Sequence, residues 1–393
     1  DGYNLCAADS FAVSLLPVIS TNMQFDPLKE LAPIVHMGFL SSLLMASPAL
    51  PVNTLQELLD LAKQKPGAIT FGSWGPASSP HMYMEWLKKE RGINFLDTAE
   101  MYSVPPRPET CGATETIIGN WFAARGPAMR ARIVLATKVG LEMGPGESGL
   151  SRAYIHRAVD RSLQRLRTDY IDLYQIHWPD RPMPWGSNPT AFKAKAYEGS
   201  ENSMLEALET LQSFVKQGKI RFIGLSNESS WGTMRFLQLA EQQGLPRVET
   251  VQNAYNLLNR TYETGLAEIS MRENVGLLAF SPLAQGYLTG KYLNGARPAG
   301  ARSTLFNRGQ RYETPNAEPA IKAYVELARE IGWKPEELAL SFVNSRAFLG
   351  ANIIGATTME QLRTNIASVR LQMTDEIENR INAIHHRFCN PCP

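Results

Sequence analysis

Residues 152–177 read RAYIHRAVDRSLQRLRTDYIDLYQIH, and this stretch decides the fold. It begins with a helix candidate, residues 152–166, and ends with a short apolar run, residues 171–177, whose last residue is His177. An amphipathic helix next to a buried strand is the repeating unit of α/β proteins. Where such strands and helices alternate along a chain, the strands form a parallel sheet.

The same alternation continues on both sides of this stretch. Eight apolar runs are strand candidates: residues 69–71, 93–97, 133–138, 171–177, 220–226, 248–252, 276–281 and 352–355. Helix candidates lie between them: residues 80–90, 114–125, 152–166, 203–217, 232–243, 262–273, 317–331 and 335–346. Eight parallel strands, each buried by a following helix, predict an α/β fold, a closed (β/α)8 TIM barrel. The count of eight depends on the first run, residues 69–71.

Polar residues stand where the predicted strands end. They are Asp97, Lys138, His177, Ser226, Asn227, Gln252 and Ser281. In a (β/α)8 barrel the loops that lead from strand to helix converge at this face, and active sites lie there. One such residue is readily explained as a solvated strand end. Their recurrence on strand after strand favours a functional site.

Composition and charge narrow the class of protein. The chain has 393 residues, of which 44% are hydrophobic and 20% charged, so it is a globular protein of two domains or of one barrel with an additional segment. Lys and Arg total 39 against 38 Asp and Glu, which argues against nucleic-acid and membrane-surface partners. Four cysteines make no disulfide framework in so long a chain, and no signal peptide is visible. We therefore expect a cytoplasmic protein.

Three motifs make the larger part of the chain recognisable. They are DTAEMY at residues 97–102, PPRPETCGATE at residues 105–115 and DYIDLYQIH at residues 169–177. With these motifs, residues 92–393 resemble the aldo-keto reductase superfamily, and most closely its Tas-type branch. The resemblance implies a TIM barrel that transfers hydride between NADP(H) and a small carbonyl substrate, reducing aldehydes and ketones to alcohols.

The family pattern implies four catalytic residues: Asp97, Tyr102, Lys138 and His177. Tyr102 would be the general acid that protonates the substrate carbonyl oxygen. A free tyrosine titrates near pH 10, and a cationic neighbour favours its phenolate form, which is the implied role of Lys138. Asp97 would hold Lys138 charged and in place, and His177 would hydrogen-bond the carbonyl oxygen.

Each of these residues also has a purely structural interpretation. Asp97 could cap a strand end, and Tyr102 could be a half-buried loop aromatic. Lys138 could be a solvated strand end, and His177 could be a satisfied core histidine. At the level of function, the alternative to an enzyme is a catalytically impaired NADPH-binding barrel or the carboxylate-binding remnant of a fusion. The joint spacing of the four residues favours the enzyme.

The resemblance also implies a set of cofactor-binding residues. Ser226, Asn227 and Gln252 match positions that hydrogen-bond the nicotinamide carboxamide, and Tyr255 lies near the family's ring-stacking position. The loop over the pyrophosphate contributes Ser281, Pro282, Leu283, Gly286, Leu288, Gly290 and Lys291. The segment after the last strand contributes Gly355, Thr357, Thr358, Gln361 and Asn365, where a helix N-terminus and hydroxyls would receive the 2′-phosphate of NADP(H).

One further loop has two possible interpretations, and a pair of cysteines near the end of the sequence has to be judged as a possible metal site. Residues 296–315 carry several arginines, including Arg311, and could either close over the cofactor phosphates or form a solvated basic loop. Cys389 and Cys392 have no second pair near them, so we predict no metal site. The substrate and the oligomeric state stay open.

The beginning of the chain has a different character. Residues 1–91 lack the usual opening of an aldo-keto reductase and resemble a fragment of a Bug-type solute-binding protein of tripartite tricarboxylate uptake, whose Gly/Ser loop matches residues 72–79. We divide the chain into residues 1–67, a partial solute-binding-protein-like segment; 68–91, a possible replacement for the first βα unit; and 92–393, the barrel. On this hypothesis residues 69–71 pair with both end strands and close the barrel.

Overall fold

The computed structural model describes residues 94–107, 109–183, 203–307 and 310–393. Residues Asn94–Pro393 form one compact unit. The predicted strand 69–71, the predicted helix 80–90 and the division of residues 1–91 lie outside the described residues, so these remain predictions.

Seven parallel strands form one curled sheet in the described part of the chain. They are β1 (Phe95–Asp97), β2 (Val134–Val139), β3 (Ile171–Ile176), β4 (Ile220–Ser226), β5 (Val248–Ala254), β6 (Gly276–Phe280) and β7 (Leu349–Asn352). Each strand is hydrogen-bonded to the next in chain order, with Asp97 opposite Ala136 and Ser226 opposite Gln252. Because the strands are parallel, all their carboxyl ends lie at one end of the sheet.

Helices connect the strands and cover the outside of the sheet. They are α1 (Ala113–Arg125), α2 (Pro127–Arg130), α3 (Arg152–Leu166), α4 (Met204–Lys216), α5 (Ser230–Gln243), α6 (Leu266–Glu273), α7 (Arg302–Phe306), α8 (Ala317–Glu330), α9 (Pro335–Asn344), α10 (Met359–Ala367) and α11 (Asp375–Arg387). The architecture is the barrel-type α/β fold predicted from the sequence.

Local sequence explains where these helices begin and which face they bury. The Ser151 hydroxyl accepts a hydrogen bond from the Tyr154 amide and so caps α3. Along α3 the buried residues include Ile155, Ala158 and Val159, spaced so that one face of the helix packs on the sheet. The side chains of this face belong to the main hydrophobic core, which also takes in the outward-facing residues of the strands.

Two predicted elements differ from the structure. The sequence predicts the last strand at residues 352–355, but it lies at Leu349–Asn352. Its pairing with β6 brings Gly350 against Gly276, where an added Cβ on Gly276 would lie 3.2 Å from the Gly350 Cα. The contact between Gly350 and Gly276 admits only small residues, so this part of the strand carries no apolar signal. The prediction was therefore drawn to the apolar pair that follows, Ile353 and Ile354. The predicted helix 262–273 is interrupted at Gly265, and α6 begins only at Leu266.

Candidate active site

The centre of the candidate site is a buried ion pair at the carboxyl ends of β1 and β2. The Lys138 ammonium donates to the Asp97 carboxylate at 2.6 Å and to the Thr98 carbonyl at 2.8 Å. The Lys138 side chain is 0% exposed and that of Asp97 8%. A charge so far removed from water is tolerated only with its partner in place, so each of the two residues fixes the other.

Two rings stand next to this pair. The Lys138 Nζ atom lies 5.1 Å from the centroid of the Tyr102 ring. Tyr102 in turn meets His177 edge to face, with the ring centroids 5.6 Å apart. His177 follows β3 directly, and its amide donates to the Val139 carbonyl at the end of β2. The structure thus brings together all four residues that the sequence nominated.

His177 is a neutral imidazole in this setting. Burial, helped by the positive charge of Lys138, lowers the pKa of His177 from its usual 6.5 to about 3. Its Nδ1 atom is buried and has no hydrogen-bond partner among the described residues. A neutral imidazole carries one N–H donor and one acceptor nitrogen, so His177 can hydrogen-bond a neutral oxygen without bringing a second positive charge beside Lys138.

A layer of amide side chains lies behind the ion pair. The amide nitrogen of Gln252 donates to Asp97 Oδ1 at 2.8 Å, and that of Gln175 reaches the same oxygen at 3.2 Å. The Asn227 amide donates to the His177 carbonyl at 2.9 Å, and the Ser226 hydroxyl donates to the Gln252 carbonyl. Ser226, Asn227 and Gln252 were nominated from the sequence. Gln175 was missed, although a buried glutamine inside an apolar strand was the available signal.

Glu100 is a second residue that sequence reasoning missed. It is 2% exposed, and its Oε1 accepts from the Gly140 amide and the Tyr154 hydroxyl, both at 3.0 Å. Its own amide donates to the Lys138 carbonyl at 3.2 Å. Glu100 therefore ties the loop that carries Tyr102 to the end of the strand that carries Lys138. Burial raises the pKa of the Glu100 carboxyl from 4.5 to about 7.

This shift makes stability depend on pH through Glu100. Between pH 4.5 and about 7 the folded protein keeps a proton that the unfolded chain has released, so the free energy of unfolding falls as pH rises through this range. The full loss is up to about 3 kcal/mol. Glu100→Gln, which cannot ionise, should remove this part of the slope. Urea unfolding at pH 5 and pH 8 measures it.

The exposed carboxyl of Glu142 supplies the matched control, because Glu142→Gln should leave the pH dependence as in the wild type. An unchanged slope in Glu100→Gln would contradict the assignment of the proton to Glu100.

A second set of nominated residues forms the loop after β6. The backbone here takes up left-handed conformations, with φ of 55° at Ser281 and 95° at Gly286. A Cβ on Gly286 would lie 2.9 Å from the Lys291 Nζ atom, so glycine lets the ammonium approach the backbone. Leu288 is buried in the main core, which leaves only its backbone to face a ligand. Pro282, Leu283 and Gly290 complete the same loop.

A third set surrounds the N-terminus of α10. Thr358 caps this helix by accepting from the Gln361 amide, and Gln361 Oε1 accepts from the Thr357 amide and hydroxyl. Gly355, Thr357, Thr358 and Gln361 are exposed. Asn365 is buried, and its amide donates to the Gly355 carbonyl at 3.4 Å. The second and third sets follow β6 and β7, so they lie at the same end of the sheet as the ion pair.

One nominated ring is placed differently. Tyr255, expected near the nicotinamide, is fully buried, with its ring stacked on Phe342 and its hydroxyl bonded to Glu263. It is a core residue because the aromatic cluster behind β5 takes up its whole surface. Phe280, the last residue of β6, is only partly buried.

Two negative findings apply to the described residues alone. Among them, no group of three or more His, Cys, Asp or Glu side chains is placed to hold a metal ion. In the same part of the chain, no helix has the length and apolar character needed to cross a membrane. The cytoplasmic location and the absence of a metal stay predictions.

Comparison with known proteins decides the family. Residues 67–386 match the model of the Aldo/keto reductase family. The chain belongs to this family. This aldo/keto reductase is 44% identical to Protein tas of Escherichia coli K12 over 337 residues, a match that covers 83% of this chain and 95% of the relative. The family resemblance expected for residues 92–393 is confirmed, and the chain therefore has the fold of a family of oxidoreductases.

Two other relatives bear on the chemistry. The aldo-keto reductase of Babesia bovis is 39% identical, covering 66% of this chain and 98% of the relative. L-glyceraldehyde 3-phosphate reductase of Escherichia coli K12 is 30% identical, covering 77% and 84% of the two chains. The family uses nicotinamide cofactors and acts on small-molecule carbonyl compounds, so this aldo/keto reductase is an oxidoreductase by family.

The first part of the chain matches a second family. Residues 1–101 match the Tripartite tricarboxylate transporter family receptor model, which confirms the expected resemblance. The two family matches overlap over residues 67–101. The aldo/keto reductase match therefore begins upstream of residue 92 and takes in the stretch predicted to hold the replacement βα unit.

Proposed function

We propose that this protein reduces aldehydes and ketones to alcohols with NADP(H), and that Tyr102 is the general acid. The observation that carries the proposal is the position of the Lys138 ammonium, paired with Asp97 at 2.6 Å and standing 5.1 Å from the Tyr102 ring. An ammonium beside a phenol stabilises the negative charge that develops on the phenol oxygen during proton transfer. A half-exposed tyrosine at the barrel's carboxyl face is accessible to a substrate.

The reaction adds one hydride and one proton to the carbonyl group. When bound, the reduced nicotinamide supplies the hydride to the carbonyl carbon. As the electron pair of the C–O double bond moves to oxygen, Tyr102 donates its proton to that oxygen and is left as phenolate. Lys138 stabilises this negative charge in a site with little water, where such an interaction is strongest.

His177 orients the substrate rather than supplying the proton. With a pKa of about 3 it is neutral at physiological pH, and its ring meets Tyr102 edge to face. From this position one N–H of the imidazole can hydrogen-bond the same carbonyl oxygen that Tyr102 protonates. Two donors on one oxygen fix the carbonyl plane before the proton moves.

The remaining residues fit a phosphate-bearing dinucleotide. Ser226, Asn227 and Gln252 present amides and a hydroxyl beside the ion pair, as a carboxamide requires. In the loop after β6, the Lys291 ammonium lies against the Gly286 backbone, since a Cβ on Gly286 would stand 2.9 Å from Lys291 Nζ. The buried Oε1 of Gln285 has no partner among the described residues, which leaves an acceptor in this loop for a ligand donor. The half-buried ring of Phe280, instead of Tyr255, can pack on a nicotinamide ring.

The preference for NADP(H) rests on the exposed N-terminus of α10. The dipole of α10 favours a phosphate dianion at this end, where the exposed hydroxyls of Thr357 and Thr358, which are bonded to Gln361 here, can turn to the phosphate. Thr357→Val should raise the Kd of NADPH about tenfold or more, the effect of one hydrogen bond to a charged group, while the Kd of NADH stays unchanged. Quenching of tryptophan fluorescence measures both constants.

Thr364→Val, on the same helix, is the matched control and should change neither constant. Equal Kd values for NADPH and NADH in the wild type would contradict the NADP(H) assignment.

A further inference from the structure

The last residues of the chain are docked into the barrel. Cys392 is 0% exposed, and its amide donates to the Leu258 carbonyl at 3.1 Å. The Thr314 hydroxyl donates to the Pro391 carbonyl at 2.6 Å, and Arg311 Nε donates to the Pro393 carbonyl at 3.2 Å. We call residues 390–393 the tail. The tail lies beyond residue 386, where the family match ends.

Two hydrogen-bonded routes lead from the tail to Asn256, whose side chain holds Ser281. The first runs through the loop after β5. Leu258, whose carbonyl holds Cys392, donates its amide to Asn256 Oδ1 at 2.9 Å. The side-chain nitrogen of Asn256 then donates to the Ser281 carbonyl at 3.0 Å.

The second route runs through Tyr312, which stands between the two tail-binding residues Arg311 and Thr314. Tyr312 is 2% exposed, and its hydroxyl accepts a hydrogen bond from the Asn256 side chain at 3.4 Å. The neighbouring Glu313 accepts from the Tyr287 hydroxyl, inside the loop after β6, at 2.5 Å. Residues 296–315 were left open between closing over the cofactor phosphates and forming a solvated basic loop; of these residues, Arg311 binds the tail through its Nε atom.

Ser281 needs support of this kind. It has a φ of 55°, in the left-handed region that residues other than glycine rarely adopt. At this residue β6 ends and the loop 281–291 begins. Such a conformation persists only where the surroundings hold it.

We propose that the docked tail is a positioning element for the loop 281–291 and so sets the affinity for the dinucleotide. The inference rests on the proposed function, in which this loop holds the cofactor pyrophosphate. No residue of the tail touches a reacting atom. Its loss should weaken cofactor binding and leave the chemical step of the bound complex intact.

Thr314→Val removes the hydroxyl that binds the tail and keeps the shape of the side chain, whereas Thr314→Ser keeps the hydroxyl. Thr264→Val is the control, because Thr264 is exposed and its hydroxyl donates to the nearby Thr261 carbonyl, away from the tail. Undocking is measured by alkylation of the buried Cys392 thiol with iodoacetamide, followed by mass spectrometry. Cys392→Asp, which places a charge in the buried position, is the second variant should valine leave the tail docked. Its undocking is measured by hydrogen exchange of the residue-392 amide, which donates to the Leu258 carbonyl in the docked tail.

With the tail undocked, amide hydrogen exchange at residues 281–286 of the cofactor-free protein should accelerate. The Kd of NADPH should rise about fivefold or more, as for the loss of one well-placed hydrogen bond, while kcat at saturating NADPH stays within about twofold. Thr314→Ser and Thr264→Val should match the wild type.

An undocked tail with unchanged exchange at 281–286 and unchanged Kd would overturn the proposal. If the wild type itself fails to bind NADPH, the proposed function fails, and the exchange measurement in the cofactor-free protein still decides whether the tail supports the loop.

Discussion

Replacing Tyr102 by phenylalanine is expected to lower kcat by a factor of about 10³, the usual contribution of a general acid, while the Kd of NADPH stays within about twofold. The ring remains, so its edge-to-face contact with His177 and its position beside Lys138 are preserved. Only the hydroxyl that would protonate the substrate oxygen is lost. Loss of NADPH absorbance with 4-nitrobenzaldehyde gives kcat, and fluorescence titration gives Kd.

Tyr170→Phe is the matched control for this experiment. Tyr170 lies before β3, with its ring between the guanidinium groups of Arg130 and Arg221, at 3.9 and 4.2 Å. It is remote from the ion pair along the strand, so removing its hydroxyl should leave kcat unchanged. A Tyr102→Phe enzyme with wild-type turnover would remove Tyr102 from the mechanism.

Replacing Lys138 by methionine is expected to have two separate effects. It leaves the Asp97 carboxylate buried without its partner, which should lower the free energy of unfolding by about 3 kcal/mol. It also removes the positive charge next to Tyr102, so kcat should fall by about 10² or more. Urea unfolding and the NADPH assay measure the two effects on the same preparation.

The double variant Lys138→Met/Asp97→Asn separates folding from chemistry. It no longer contains an uncompensated charge, so much of the lost stability should return. Turnover should not return, because the ammonium is still absent. Recovery of turnover together with stability would mean that Lys138 acts only in folding.

Much of the barrel could be predicted from the sequence, because strands that are buried on both sides are rich in apolar residues. Strands β2 to β4 lie within one residue of their predicted ends at each side, since apolar residues predominate in each run. Helix α3 was predicted with its observed bounds, because Ser151 caps it and its apolar residues recur at helical spacing. The four residues around the ion pair followed from the family motifs.

Some parts could not be predicted because they depend on contacts between residues far apart in the sequence. Others could not be predicted because they depend on residues with little or no side chain. Gln252 and Asp97 are 155 positions apart, and no local pattern indicates that their side chains meet. Glu100 sits in a loop motif that reads as polar surface, yet the fold buries it against Tyr154. Strand β7 pairs through Gly350, which has no side chain to produce a periodic signal.

The central claim is that the group around Tyr102 directs hydride transfer to a carbonyl carbon. The most direct test follows deuterium from NADPH labelled at C4 of the nicotinamide into the product of 4-nitrobenzaldehyde, by mass spectrometry. We expect the wild type to yield alcohol with one deuterium on the former carbonyl carbon, and Tyr102→Phe to yield about 10³-fold less in the same time. Equal deuterium transfer by both proteins, or none by a wild type that binds NADPH, would contradict the account.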